Sequence, residues 1–203
     1  MRRCSPAGVL LVLLVPLSGC GAARPAHYYS LEALAPEPLP GGASYPVVLL
    51  VGRISAPHVL RDDRIVYGTG PLELGTYEYH RWAEPPADML EGLLLEQLHA
   101  TGQYKSVGRY SSSTRGDYLL RGHLISLNEM DSPGGVTARF AIRLELFQWK
   151  TGTVVWTQGY QHDEPVAKKS VDQVVEALQK NVRAGLGQLT AGMSGYFASH
   201  PEK

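Results

Sequence analysis

The sequence has almost no cysteine. Among its 203 residues only Cys4 and Cys20 carry a thiol, and both lie near the start of the chain. The rest of the chain therefore has no disulfide, no redox pair and no thiolate ligand for a metal. Its stability must come from a hydrophobic core, and a chain of this length is long enough to bury one in a single domain.

The chain also lacks an excess of charge of either sign. It has 19 Lys and Arg residues and 19 Asp and Glu residues, and its basic residues are not clustered. Binding to nucleic acid or to anionic lipid headgroups requires a basic patch. The sequence therefore predicts no nucleic-acid partner.

A long apolar run is missing as well. The run at residues 9–15 is short, whereas a spanning helix needs about 20 apolar residues. Arg2 and Arg3 precede the run, and Leu-Ser-Gly-Cys follows it at residues 17–20. This order is typical of a signal peptide. The last four residues resemble the bacterial lipobox, which implies cleavage after residue 19, diacylglycerol on the Cys20 thiol and acylation of the freed amine.

Two other interpretations are an uncleaved anchor helix and an ordinary secretory signal cut near Ala22 and Ala23. Neither explains the cysteine. Cleavage before Cys20 would leave 17 basic and 19 acidic residues, with residues 20–27 as a short tether. Because two or more acyl chains hold a protein stably on a membrane, we expect the domain at residues 28–199 to stay close to that membrane.

Several segments have the composition of strands. Residues 47–54 form an apolar run typical of a buried central strand, and residues 136–149 alternate between apolar and polar. Glycine-containing turns on either side of the second segment predict an antiparallel meander of three strands. The remaining candidates are a short strand at residues 28–31 and a hairpin formed by residues 64–67 and 72–79.

Two segments predict amphipathic helices. Leucines recur at helical spacing after Pro85 and Pro86, and Gly102 is placed to end that helix. The second helix starts at Ser170, where Gln173 completes a capping box. The pattern predicts an α+β domain: a mostly antiparallel sheet of five to six strands with two amphipathic helices on one face.

The search for catalytic or metal-binding residues finds little. Seven histidines are scattered, and only His162, Asp163 and Glu164 place metal-ligand types side by side, where a solvated loop is the favoured interpretation. No serine has the Gly-x-Ser-x-Gly frame of a nucleophile elbow. We therefore predict that the chain is not an enzyme and holds no metal or cofactor.

Aromatic residues crowd the segment before the first helix, where Tyr77, Tyr79 and Trp82 accompany Arg81 and Glu84. Core packing with an Arg–Glu pair is the favoured interpretation. The alternative is a partner-docking surface formed by Arg81, Trp82 and Glu84, since aromatics and arginine are enriched at interfaces. Two further tryptophans, at 149 and 156, flank the last tight turn.

Nearly the whole predicted mature chain resembles a known family, the ABC-type transport auxiliary lipoproteins, which includes the paraquat-inducible protein C-like lipoproteins of MCE systems. The resemblance rests on the lipobox, Tyr-Tyr-Ser-Leu at 28–31, the strand at 47–54, Leu-Arg-Asp-Asp-Arg-Ile-Val at 60–66, Arg-Trp-Ala-Glu-Pro at 81–85, Trp156 and the C-terminal helix.

The resemblance implies a non-enzymatic lipoprotein on the periplasmic side of the outer membrane. Its partners would be a periplasmic MCE-domain protein and an ABC permease and ATPase that move lipid between membranes. Gly21 is consistent with this location, because an aspartate after the acylated cysteine commonly retains lipoproteins in the inner membrane.

A second hypothesis is a structural or pilotin-like assembly lipoprotein of another envelope complex, which would share the anchor and the core. The sequence leaves open which lipid is moved, whether this chain binds it, and whether copies of the chain form a homo-oligomeric ring.

Overall fold

The computed structural model describes residues 24–32, 44–70, 72–111 and 113–201. The predicted signal peptide, Cys20 and the first part of the tether lie outside these ranges and remain predictions. The described strands are β1 His27–Tyr29, β2 Tyr45–Ser55, β3 Arg64–Gly68, β4 Leu74–Trp82, β5 Tyr104–Arg109, β6 Tyr118–Ser132, β7 Gly135–Gln148 and β8 Thr153–Pro165. The helices are α1 Pro86–Thr101 and α2 Val171–Ser199, with a 3-10 turn at His58–Leu60.

Strand β6 is the centre of the sheet. One of its edges pairs with β7 in antiparallel orientation along nearly its whole length, and β8 continues the sheet beyond β7. Two strands share the other edge. The first half of β6 pairs in parallel with β2, and residues 128–130 pair in parallel with β3. Beyond β2 lies β5, and beyond β3 lie β4 and then β1.

The predicted sheet was wrong in strand number and in direction. Eight strands are described, and the β1–β4, β2–β5, β2–β6 and β3–β6 pairs are parallel. Strand β5 was missed because its sequence, YKSVGR, carries neither an apolar run nor a clean alternation. Parallel pairing was missed because strand direction depends on the long connections between strands, which the apolar pattern of each strand does not report.

Other expectations are confirmed. Strands β3 and β4 form an antiparallel hairpin, and β6, β7 and β8 form the predicted meander. Gly135 and Gly152 have φ angles of 117° and 69° in its two turns. These are conformations that residues with a Cβ rarely adopt, which explains glycine at both positions.

Both helices lie on one face of the sheet, as predicted. Helix α1 packs on β2 and β5, and α2 packs on β6, β7 and β8. The Ser170 hydroxyl accepts a hydrogen bond from the Gln173 amide at the start of α2, and Gly102 ends α1 with a φ of 60°. Between the helices, Gln97 Nε2 donates to the Thr190 hydroxyl at 2.9 Å.

The core lies between the helices and the sheet. On β7 the predicted alternation is confirmed, because Ala138, Phe140, Ile142, Leu144 and Leu146 are all buried. Burying such side chains contributes about 1.5–3 kcal/mol each relative to leaving them in water. The opposite face of β7 carries mostly polar side chains, and neither helix of the described residues packs on it.

Helix α2 also contacts the sheet through two positions that are not large and apolar. Asn181 is fully buried, donates to the carbonyl oxygens of Ala138 and His162, and accepts from the Tyr160 hydroxyl. One turn later, Gly185 lies directly against the rings of Tyr160 and Phe140. Both positions fix how closely α2 approaches β7 and β8.

Candidate functional site

The face of the sheet opposite the helices, here called the open face, is the candidate functional surface. Period-two alternation places polar side chains on it in rows that cross the strands. Arg121 on β6 lies opposite Glu145 on β7, and His123 lies opposite Arg143. Ser55 on β2 extends the second row, since it pairs with His123.

Three arginines give the open face its charge. Arg53, Arg121 and Arg143 line a groove of about 420 Å³ together with Glu145. Arg121 contacts Glu145 at 3.4 Å, whereas in the described part of the chain neither Arg53 nor Arg143 forms an ion pair. The groove therefore carries two more positive than negative charges and is suited to anionic groups.

Aromatic rings continue the open face from this groove, which we call the arginine groove. The Arg121 guanidinium lies 5.4 Å from the centre of the Phe147 ring, and Phe147 contacts Trp149 edge to face at 5.3 Å. Trp149 stacks on Tyr110 at 6.2 Å. Trp149 and Tyr110 are 45% and 41% exposed. Exposed aromatics beside arginine are the composition of an interface core, so this aromatic cluster of Phe147, Trp149 and Tyr110 is a candidate contact surface.

The predicted docking residues are not on the open face as a group. Trp82 is fully buried in the core, so a docking role for its side chain was wrong. Its indole N–H is the one buried side-chain polar atom without a hydrogen bond in the described ranges. Arg81 donates to Asp63 at 2.8 Å, not to Glu84 as the core interpretation expected. Glu84 is exposed, and docking through Arg81 and Glu84 remains a prediction.

His162, Asp163 and Glu164 belong to β8, so the predicted loop was wrong. Arg139 on β7 holds Asp163 with two hydrogen bonds of 2.7 Å, and Lys180 on α2 contacts Glu164. Within the described residues, no three His, Cys, Asp or Glu side chains are grouped closely enough to hold a metal. These acidic side chains fasten strand to strand and strand to helix.

The Arg139–Asp163 pair predicts a pH dependence of stability. The hydrogen bonds from Arg139 hold the pKa of Asp163 below its ordinary value of 3.8. A carboxylate with a depressed pKa in the folded state stabilises the protein above its unfolded pKa, and this contribution is lost as the pH falls through the folded pKa. The effect is small, because the Asp163 side chain is 38% exposed and solvent screens the pair.

Urea unfolding at about pH 7 and about pH 3 tests this dependence. Asp163→Asn is expected to be less stable than the unaltered protein at the higher pH. This difference in the free energy of unfolding, here called the gap, should be smaller at the lower pH. Asp62→Asn, at an exposed position, is the matched control and should show no such change of gap. A gap for Asp163→Asn that widens on acidification would contradict the prediction.

Two tyrosines near the start of α2 act as hydrogen-bond donors. The Tyr29 hydroxyl donates to Asp172 at 2.7 Å, and the Tyr77 hydroxyl donates to the buried Glu129 at 2.7 Å. Burial, followed by the bond to Asp172, raises the pKa of Tyr29 to about 12. Burial and the bond to Glu129 also raise the pKa of Tyr77. Both phenols stay protonated at neutral pH and are poorly suited to act as bases. Tyr29 instead joins β1 to α2, and Tyr77 joins β4 to β6.

Sequence reasoning missed the arginine groove. The alternation of residues 136–149 places Arg143 and Glu145 on the polar side of β7, but their neighbours come from β2 and β6, and the parallel register of β2 with β6 was not predicted. Arg53 gave no signal, because it interrupts an apolar strand as a single charge. Tyr110 likewise follows the strand that was missed.

The described residues thus form an α+β domain with two helices on one face of the sheet and a basic, aromatic surface on the other. Residues 29–189 match the family described as the ABC-type transport auxiliary lipoprotein component. The chain belongs to this family, which confirms the resemblance seen in the sequence.

Solved structures show the same fold. A DUF330-family protein from Xanthomonas campestris is 21% identical, with 85% of this chain and 99% of that chain covered and a TM-score of 0.75. An uncharacterized protein is 15% identical over 84% and 99%, with a TM-score of 0.66. A hypothetical protein from Chlamydia trachomatis is 7% identical over 76% and 99%, with a TM-score of 0.54. At these identities the similarity concerns the fold alone.

The comparison with curated proteins finds no match. Among the described residues, neither helix is both long enough and apolar enough to cross a membrane.

Proposed function

We propose that this protein is the lipid-anchored, non-enzymatic component of an ABC-type intermembrane lipid transport system, and that it docks the periplasmic MCE assembly at the outer membrane. Membership of the auxiliary lipoprotein family is the observation that carries the proposal. The predicted acylation of Cys20 supports the anchor, and Gly21 supports the outer membrane over the inner one.

The open face is the surface that we assign to docking. Neither described helix packs on it, and its arginine groove has two arginines that are not engaged by acidic side chains of the described chain. An acidic stretch of the MCE-domain protein would complement this charge, and the aromatic cluster would supply apolar contact area beside it. Charge complementarity of this kind speeds association and excludes wrong partners.

Copurification from membranes under mild detergent tests the proposal. The unaltered lipoprotein should retain the MCE-domain protein, and the double variant Arg53→Glu and Arg143→Glu should retain at least about tenfold less, because like charges across an interface cost several kcal/mol. Arg183→Glu, at an exposed position on α2, is the control and should retain the partner normally.

Crosslinking in cells separates the proposal from its rival. Recovery of the MCE-domain protein supports lipid transport. Recovery of secretion or cell-wall components alone would overturn it in favour of a structural or assembly lipoprotein. Retention of the MCE partner by the double variant at the level of the control would show that docking uses a surface other than the open face.

A further inference from the structure

Two exposed leucines lie at the turn between β3 and β4. Leu72 is 97% exposed and Leu74, the first residue of β4, is 51% exposed. No other leucine of the described chain is as exposed. Single exposed apolar residues are common on proteins, so this pair, here called the leucine edge, acquires meaning only from what lies near it.

The path of the chain before β1 leads toward the leucine edge. Strand β1 runs parallel to β4, with His27 opposite His80 and Tyr29 opposite Trp82. Going backward from His27, the chain therefore proceeds toward the beginning of β4, where Leu74 lies. Arg24 confirms this direction, since its guanidinium lies 5.9 Å from the centre of the Tyr79 ring.

The predicted acylation site lies only four residues before Arg24. Four extended residues span at most about 14 Å. The lipid on Cys20 would therefore hold this side of the domain at the membrane surface. The end of β1 is fixed to the domain, because the Tyr29 hydroxyl donates to Asp172 and the Ala83 amide donates to the Tyr29 carbonyl.

The open face has its aromatic cluster at the other end of the sheet. Leu74 pairs with Gly68, which pairs with Met130 near the end of β6. Val154 pairs with Phe147, which pairs with Leu119 near the beginning of β6. Met130 and Leu119 are eleven residues apart on β6, so the leucine edge and the aromatic cluster lie about 36 Å apart along this strand.

We infer that the leucine edge inserts into the lipid surface to which Cys20 is anchored. The end of β6 then lies toward the membrane, and its beginning, with the aromatic cluster, faces the periplasm. The inference rests on the lipid anchor of the proposed function. The occupant of this surface is the bilayer itself. Leu72 and Leu74 enter its interfacial layer, and the anchor keeps them there.

The near-absence of cysteine makes the test clean, because the acylated Cys20 leaves no free thiol in the mature chain. Leu72→Cys and Leu74→Cys are each labelled with the fluorophore NBD in the full-length, lipidated protein. The proteins are reconstituted into vesicles of phosphatidylethanolamine and phosphatidylglycerol. Val154→Cys, at a position 43% exposed near the start of β8 and at the opposite end of the sheet, is the matched control.

Labels at 72 and 74 should shift to the blue on reconstitution, become quenched by nitroxide-bearing lipids and become shielded from iodide in water. The label at 154 should show none of these changes. If the labelled proteins float with the vesicles while the labels at 72 and 74 stay open to iodide, the inference is overturned and the anchor stands. If the protein does not float with the vesicles at all, both the anchor and the inference fail.

Discussion

Replacing Asn181 with leucine is expected to lower the free energy of unfolding by about 3 kcal/mol. The amide of Asn181 lies within the contact between α2 and the sheet, at 0% exposure, and makes three hydrogen bonds of 2.8–2.9 Å. Leucine fills a similar volume but makes none of them. The Tyr160 hydroxyl loses its acceptor, and the carbonyls of Ala138 and His162 each lose a donor in a dry environment.

Urea unfolding of matched variants measures this cost. Asn128 is the control, because it is also buried but its Nδ2 makes one local bond, to the Glu129 carbonyl. Asn128→Leu should cost about 1 kcal/mol. Adding Tyr160→Phe to Asn181→Leu should cost less than the sum of the single changes, because the two residues share a bond. An Asn181→Leu variant as stable as Asn128→Leu would contradict the prediction.

Replacing two glycines of α2 with alanine is expected to change the stability of the protein in opposite directions. A Cβ at Gly185 would lie 2.6 Å from Tyr160 Cδ1 and 2.8 Å from Phe140 Cε1. Such contacts require the helix or the rings to move, and overpacking of this kind costs about 1–3 kcal/mol. A Cβ at Gly187 meets nothing within 4 Å. There alanine should gain the helix propensity that glycine lacks, about 1 kcal/mol.

Gly185→Ala should therefore be less stable than Gly187→Ala by about 1–3 kcal/mol, the cost of overpacking. Thermal unfolding of the two variants and the unaltered protein measures both effects: the unfolding temperature should fall for Gly185→Ala and rise for Gly187→Ala. Because each variant adds the same methyl group to the same helix two residues apart, the comparison cancels propensity and isolates packing. Stabilisation by alanine at both positions would mean that α2 does not approach β7 and β8 as closely as described.

The strand β7 and the helix α2 were predictable because each is amphipathic and follows one period over many residues. The amphipathic pattern of α2 predicted which side of the helix faces the core, and Ser170 marked its start. Local patterns of this kind are physical consequences of burying one side of an element. They report which face is buried without reporting what lies against it, so neither Asn181 nor Gly185 drew attention in the sequence.

The features that were predicted wrongly or missed depend on contacts between distant segments of the chain. Trp82 stands between Arg81 and Ala83 in a polar stretch, and its complete burial depends on the path of β4 and not on its neighbours in sequence. The arginine groove likewise joins residues of β2, β6 and β7. Long-range pairing sets both features, and a single sequence carries little information about it.

The shared edge of β6 also determines the order in which this chain can fold. The C-terminal part, β6 to α2, is built from neighbouring segments joined by tight turns, and such local contacts form early. Strands β2 and β3 can pair earlier with β5 and β4, but the other edge of each has to wait for β6, more than fifty residues later in the chain. A chain that emerges N-terminus first therefore leaves one edge of the apolar strand β2 unpaired until β6 arrives. During that interval β2 is the segment that a chaperone would need to shield.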